Sequence, residues 1–527
     1  MGTENFDYDL RSIQEARNFL RQGYSAYKEF ASFSDEQVNK ILKSMAEAGL
    51  KHAVELGRLA QEETGFGVAK DKAYKNYAAS ALLYEDIKDM KTVGIIRRDE
   101  KNKILEVADP VGLVMEMCIR DRTNPTSTII FKSMIALKSR NAIIFSPHPA
   151  ALECSLKTAK IMAEAAQEAG APKGIISCIT MPSLQTTSEM MKSKEVALII
   201  ATGGPGMVKA AYSAGKPAIG VGAGNSPAYI ERSANVAKAV ERIMASKTFD
   251  NGTICASEQS IICEEVNQDE VIQEFVKAGG YFMTDEECNR VCKLLFKDKM
   301  AMNAKYVGKD AKFIASAAKI TVPSNTRVLI GRQYGVGKDN PLSYEKLTCV
   351  LGFYVVKDWK EACELSISLL QNGIGHTLSL HTNDDQIVEK FSVKPASRIL
   401  VNTGGTQGGT GLSTGLLTSF TLGCGTMGGS SVSENVGPQH LINLKRVAYG
   451  IKDVTTLADD AKFQALFHEK SCCVNGCYYN GVAMSPNEIQ MMFEESTKTN
   501  SSDDLLKGID ALSVEDLKNL ILQIANS

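Results

Sequence analysis

Between residues 142 and 250 the chain alternates short apolar runs with helical segments, and this alternation limits its fold more than any other feature. The runs are NAIIFS, GIISCIT, VALIIAT and AIGVGA. Between them lie a helical stretch over 150–169, a short helix over 185–193, and helices beginning at Met207 and Ala234. Apolar runs of this length without polar alternation read as strands covered on both faces, and parallel neighbours need a crossover helix between them. The pattern predicts a wound α/β sheet of the nucleotide-binding type. A second α/β stretch follows over 253–425, with the runs QSIICEE, TRVLIG, CVLGFYVV and RILVNT, and residues 402–431 are Gly-rich, as a backbone must be where it turns tightly or approaches a ligand. Upstream, residues 10–89 read as helices. Residues 95–114 carry short apolar runs broken by charge and by Pro110, which predicts a hairpin-like excursion.

Composition excludes several function classes. The 59 basic and 61 acidic side chains nearly cancel, and no long basic block stands out, so nucleic acid is not an expected partner. The longest apolar runs, such as 142–145 and 196–201, fall far short of the roughly 18 residues a membrane span requires. The start, MGTENFDYDLRS, is acidic and has no hydrophobic signal region, which gives a cytoplasmic reading with no membrane partner. Thirteen cysteines, an odd number without framework spacing, read as reduced thiols. Cys472, Cys473 and Cys477 lack a fourth ligand unless His468 joins them, so no metal site is assigned there.

Four motifs can carry chemistry. In TFDNGTICASEQS (248–260), Cys255 sits between a Gly-containing turn and a small-residue run just ahead of an apolar strand, where a thiolate can attack a carbonyl. Taken alone, any one of thirteen cysteines reads as a core residue. ATGGPGMVKAA (201–211) places glycines where a strand passes into a helix, freeing backbone N–H groups for a phosphate, and the turn GVGAGNSP (220–227) follows it. In TNPTST (123–128), Asn124 offers an amide donor for an oxyanion, or simply an Asn-Pro turn. Glu345 in YEKL and His376 in NGIGHT are single polar residues whose ordinary reading is structural.

Taken together and in order, TNPTSTIIFKSMIALKSRNAIIFSPHP, ATGGPGMVKAAYSAGKPAIGVGAGNSP, SKTFDNGTICASEQS, EKL, GIGHT and TLGCGTMGGSSVSENVGPQHLIN resemble the CoA-acylating branch of the aldehyde dehydrogenase superfamily. The likeness extends from about residue 10 to 450. It is greatest to the acetaldehyde dehydrogenase half of bifunctional aldehyde-alcohol dehydrogenases and to bacterial microcompartment aldehyde dehydrogenases. An iron-dependent alcohol dehydrogenase half is not expected within these 527 residues.

The resemblance implies an aldehyde dehydrogenase-like α/β fold. A Rossmann-type NAD-binding domain would span 1–235, with an oligomerisation hairpin at 95–112, and a catalytic domain 236–430. A C-terminal oligomerisation strand would follow at 431–452, then a variable segment and linker over 453–512. Residues 513–527 would form an amphipathic helix, capped by Ser513 and Asp516, that serves as an encapsulation peptide. It further implies that Cys255 is the nucleophile, that Asn124 with the Cys255 backbone N–H forms the oxyanion hole, and that His376 lies near the sulfur. Ser146, His148, Thr202, Gly203, Gly204, Gly206, Gly222, Glu345 and Leu422 would contact the dinucleotide. The expected substrates are a short aldehyde (acetaldehyde or propionaldehyde), NAD and coenzyme A, and the expected assembly is a homo-oligomer, a dimer or tetramer, with microcompartment shell or cargo proteins as further partners. Hydrolytic relatives carry a Glu in an ELGGKSP-like turn where this chain reads VGAGNSP with Val221, which favours transfer to CoA over hydrolysis. A hydrolytic dehydrogenase and an inactive scaffold on the same fold stay open as alternatives, the latter because Arg120, Asp121 and Arg122 crowd the approach to Asn124.

Overall fold

The computed structural model describes residues 7–117, 122–203, 205–297, 300–370 and 373–462, with short backbone stretches at 464, 477–479, 482–484, 487 and 491. Gly204, Arg120, Asp121, Cys472, Cys473, His468 and the 513–527 segment lie outside them. The chain divides into two units, one of Met1–Glu100 with Ile104–Val447 and one of Lys101–Lys103 with Ala448–Ser527.

In the larger unit the amino-terminal region is helical as expected, with helices Tyr8–Phe30, Asp35–Lys51, Ala53–Thr64 and Ala69–Tyr77 leading the series. Ser34 and Gln37 form a reciprocal capping box that starts the second of these helices. Two parallel sheets follow. The first has five strands in the order Ile176–Cys178, Ala142–Ser146, Leu113–Met117, Val196–Thr202, Ala218–Val221. The second has seven, in the order Gly280–Phe282, Val328–Arg332, Val350–Val356, Glu258–Glu264, Ser226–Ile230, Gly375–His381, Ala396–Val401. Their cores are separate: Val114, Met115, Ile130, Phe131, Phe145 and Ile200 belong to the first, Ile230, Ile243, Ile261, Phe275 and Leu351 to the second. Each such fully buried side chain contributes about 1.5–3 kcal/mol through its removal from water.

The expected hairpin is present as Gly94–Asp99 paired antiparallel with Ile104–Pro110, and Ile442–Ala448 adds a third strand beside the second. Its far limit differs from the reading of the sequence. Residues Leu113–Met117 leave the hairpin and form the middle strand of the first sheet. All five are buried, which a thin ribbon exposed on one face cannot provide. In the smaller unit, Cys477–Tyr479 and Val482–Met484 pair antiparallel. Among the described residues no helix is long and apolar enough to cross a membrane.

One feature of connectivity positions everything chemical. The first sheet ends at Val221 and the second begins at Ser226, so the carboxyl edge of one and the amino edge of the other are tied together by four residues, Gly222 to Asn225.

Candidate active site

Cys255 occupies a turn three residues before Glu258–Glu264, the central strand of the second sheet. Of the cysteines whose side chains the structure describes, eight are buried and Cys255 alone is partly exposed. Its neighbours Ile254 and Ala256 are sealed in a small apolar cluster with Leu422, against which Cys255 packs. Leu422, expected as a cofactor contact, is buried in that cluster.

The turn that joins the sheets closes on this loop. A Cβ at Gly224 would stand 2.0 Å from the Cys255 carbonyl oxygen and 3.3 Å from Nδ1 of His376, so the position admits no side chain. The Gly224 N–H donates to Oε1 of Glu345 at 3.1 Å, and burial pushes that carboxyl up to about 7. Cys255, His376 and Glu345 are therefore gathered by one glycine. The Gly-rich segment supplies a second close approach, with Gly405 against the Ala256 carbonyl.

His376 is the second residue of the strand Gly375–His381 and is fully buried. Its Nδ1 pairs with Thr377 Oγ1 at 2.9 Å and its Nε2 has no partner among the described residues. Burial, reinforced by Arg398, holds its pKa well below the usual histidine value, so the ring is neutral. Arg398 carries no motif by which the sequence would reveal it. It is buried, and its guanidinium donates to the carbonyls of Gly423 (2.6 Å) and His376 (3.1 Å), with longer bonds to Thr377, Ser433 and Asn435. None of these partners is a carboxylate, and the cation lies within electrostatic reach of the thiols of Cys255 and Cys424.

Asn124 precedes the wholly buried helix Pro125–Lys138, with Pro125 at its first position. Its amide Nδ2 donates to Thr123 Oγ1 at 2.9 Å, and its Oδ1 accepts from the ammonium of Lys75. The same ammonium pairs with Asp250, which also receives Lys72 at 3.0 Å, Thr253 Oγ1 at 2.6 Å and the Val68 N–H at 2.7 Å. Lys72, Lys75 and Asp250 are all buried. Burial alone would raise the Asp250 pKa, but the two ammonium groups outweigh it and hold the carboxyl below its usual range. Asp250 and Asn251 both adopt left-handed backbone conformations, at φ 48° and 53°, five and four residues before the nucleophile candidate. Such residues cost about 1–3 kcal/mol each and persist where the surroundings over-determine them, as this hydrogen-bond set does. Arg122, one of the three charges expected to crowd the site, is described: its guanidinium lies over the Phe66 ring at 4.9 Å.

The other expected contacts line the carboxyl edge of the first sheet. Ser146 ends one strand and Thr202 another, on either side of the middle strand Leu113–Met117 where the strand order reverses, and Gly222 follows a third. Thr202 Oγ1 is 3.2 Å from both Lys132 Nζ and Glu116 Oε1. His148 is half-buried beside Ser146, and its Nδ1 accepts from the Ala150 N–H at 2.9 Å. Gly203 has φ 148°, which a side chain rarely adopts. A Cβ at Gly206, in the first turn of helix Pro205–Tyr212, or at Gly222, after the strand Ala218–Val221, would meet nothing within 4 Å, so both positions face open space.

A partly exposed cysteine thus lies on a loop packed against Gly224, with a neutral histidine on the other side of that glycine. The aldehyde dehydrogenase family matches residues 7–290. The chain belongs to that family. Within it the similarity is to acetylating members. A crystal structure of an acetylating aldehyde dehydrogenase from Geobacillus thermoglucosidasius superposes with a TM-score of 0.83 at 50% identity, covering 85% of this chain and 99% of that one. The bifunctional aldehyde-alcohol dehydrogenase of Escherichia coli is 45% identical over 446 residues, 83% of this chain, and the chain spans about half that relative's length (50%). A propionaldehyde dehydrogenase from the Clostridium phytofermentans fucose utilisation bacterial microcompartment superposes with a TM-score of 0.75 at 27% identity, covering 83% of this chain and 98% of that one.

Proposed function

We propose that this aldehyde dehydrogenase oxidises a short aldehyde, acetaldehyde or propionaldehyde, with NAD and passes the acyl group from Cys255 to coenzyme A. The observation that supports it most is the turn 221–227, VGAGNSP, whose Gly224 packs on the nucleophile loop and which bears no carboxylate.

The Cys255 sulfur forms a bond to the aldehyde carbon, and the negative charge moves to the former carbonyl oxygen. Asn124 Nδ2 and the Cys255 backbone N–H receive that charge. The open positions at Gly206 and Gly222, the Ser146 and Thr202 hydroxyls at the strand ends, and the Glu345 carboxyl would hold a dinucleotide, the backbone N–H groups opening helix Pro205–Tyr212 being suited to its phosphate charge. NAD, when bound, supplies the hydride acceptor, and the carbon is then a thioester on Cys255. Release of that acyl group depends on the incoming nucleophile. Water ionises near 15.7 and an ordinary thiol near 8.5, so water needs strong base assistance where a thiol needs little. The 221–227 turn carries no carboxylate to give water that assistance. Coenzyme A displaces the Cys255 sulfur, the proton of its thiol passes to the departing Cys255 thiolate, and one thioester replaces another.

The three-stranded sheet with Ile442–Ala448 at its edge, whose residues after Ile442 are exposed, is the surface by which copies would associate as a homo-oligomer. The likeness to a microcompartment enzyme supports a cargo role inside a bacterial microcompartment, with the 513–527 segment as encapsulation peptide toward shell or cargo proteins. Mass-spectrometric identification of the product from C2 to C4 aldehydes with NAD and CoA tests the assignment. Acyl-CoA of matching chain length is expected. A free carboxylic acid as the sole product would replace the acylating reading by the hydrolytic one.

A further inference from the structure

We infer that Lys75 is a positioning residue of the oxyanion hole: its ammonium fixes which face of the Asn124 amide is turned to the reacting carbonyl, and its anchor Asp250 ties that amide to the nucleophile loop. The inference deepens the catalytic reading above and rests on it.

An amide side chain can sit either way round, and rotation by half a turn exchanges its N–H₂ donor for a carbonyl acceptor. An oxyanion hole built on Asn124 works only with the nitrogen toward substrate; the flipped amide would present a lone pair to a developing negative charge. A lysine ammonium has three donors and no acceptor, so it accommodates only the amide oxygen. Lys75 meets Asn124 at Oδ1, which leaves Nδ2 on the opposite side with one hydrogen on Thr123 Oγ1. Its second N–H is then directed by the residue type at position 75 rather than by chance.

Asp250 extends the device. It holds Lys75 and Lys72, and it accepts from Thr253 Oγ1, two residues before Cys255. Lys72 in turn donates to the Thr123 carbonyl at 2.7 Å, securing the residue before Asn124. The donor of the hole and the sulfur that generates the charge thus share one buried carboxylate, although residues 75, 124 and 250 come from three separate parts of the chain. Burying two ammonium groups and a carboxylate is expensive compared with packing apolar side chains of similar size. A purely structural contact would not need charge here, whereas an ammonium, which carries donors only, fixes the amide by its oxygen and so sets where Nδ2 points.

The test is a double-mutant cycle on the full chain assayed with acetaldehyde, NAD and CoA. An N124A variant should be slowed about 10²- to 10³-fold, the range for loss of one such donor. K75M should lower kcat about 10- to 100-fold with the KM for NAD unchanged, and iodoacetamide should still alkylate Cys255 at the parental rate. The decisive value is the double variant: N124A/K75M should match N124A within about threefold, because Lys75 acts through the amide. Should K75M not fold, K75Q, which keeps hydrogen bonding at similar volume, enters the same cycle with an expected three- to thirty-fold loss. A parental rate in K75M or K75Q, or losses that multiply with N124A, overturns the inference while leaving the acylating reading intact. A parent that forms no acyl-CoA overturns the reading itself and the inference with it.

Discussion

Cys255→Ser is expected to lose NADH formation by on the order of 10⁴-fold, with unchanged NAD binding and an unchanged urea midpoint. The three expectations have different sources. The rate falls because a serine hydroxyl ionises far less readily than a thiol, and because the neutral, weakly basic His376 next to Gly224 is a poor base for it. NAD binding is expected to persist because most residues proposed to hold it, Ser146, Thr202, Gly203 and Gly222 among them, belong to the other sheet's edge. Stability persists because Cys255 is partly exposed, while the apolar packing around it comes from Ile254, Ala256 and Leu422. A rate in the Ser variant above about a tenth of the parent's would remove Cys255 from the mechanism.

Asp250→Asn is expected to destabilise the fold by about 3–5 kcal/mol, read as a lowered urea midpoint. Asn tolerates the left-handed backbone at this position as Asp does, so the substitution isolates the charge. It leaves Lys72 and Lys75 as buried ammonium groups whose shared carboxylate is gone. The pH dependence has a definite sign. Because the folded pKa of Asp250 is depressed, its stabilisation is fully present above the ordinary carboxylate pKa near 4 and is lost as pH falls through the lower folded value. The parent should therefore lose stability more steeply below pH 4 than the Asn variant. Equal midpoints at neutral pH would show that the cluster contributes no net stability.

What could be read in advance followed from local pattern. Runs such as VALIIAT and AIGVGA became strands of the first sheet because four or more consecutive buried positions leave few other solutions, and the loop holding Cys255 was visible as small residues ahead of QSIICE. The limits were those of long-range packing. VGLVMEM reads like the hairpin before it, and only the burial of all five residues from Leu113 to Met117 moves it to the sheet centre. Lys75 lies in AKDKAYKNY, a polar helix that looks solvated; its burial is decided by Asp250, 175 residues downstream. Arg398 is likewise silent within RILVNT, since its partners are mostly backbone carbonyls that leave no mark in side-chain identity. Gly224 shows why a weak motif can matter: its requirement comes from the Cys255 carbonyl and His376 ring on either side.

The central claim is that the acyl group waits on Cys255 for a thiol because nothing on the VGAGNSP turn activates water. Stopped-flow mixing of the protein with acetaldehyde and NAD, without CoA, tests it directly. The expected trace is a burst of one NADH per active site followed by near arrest, with turnover resuming when CoA is added. Sustained NADH production without CoA, accompanied by acetate, would contradict it.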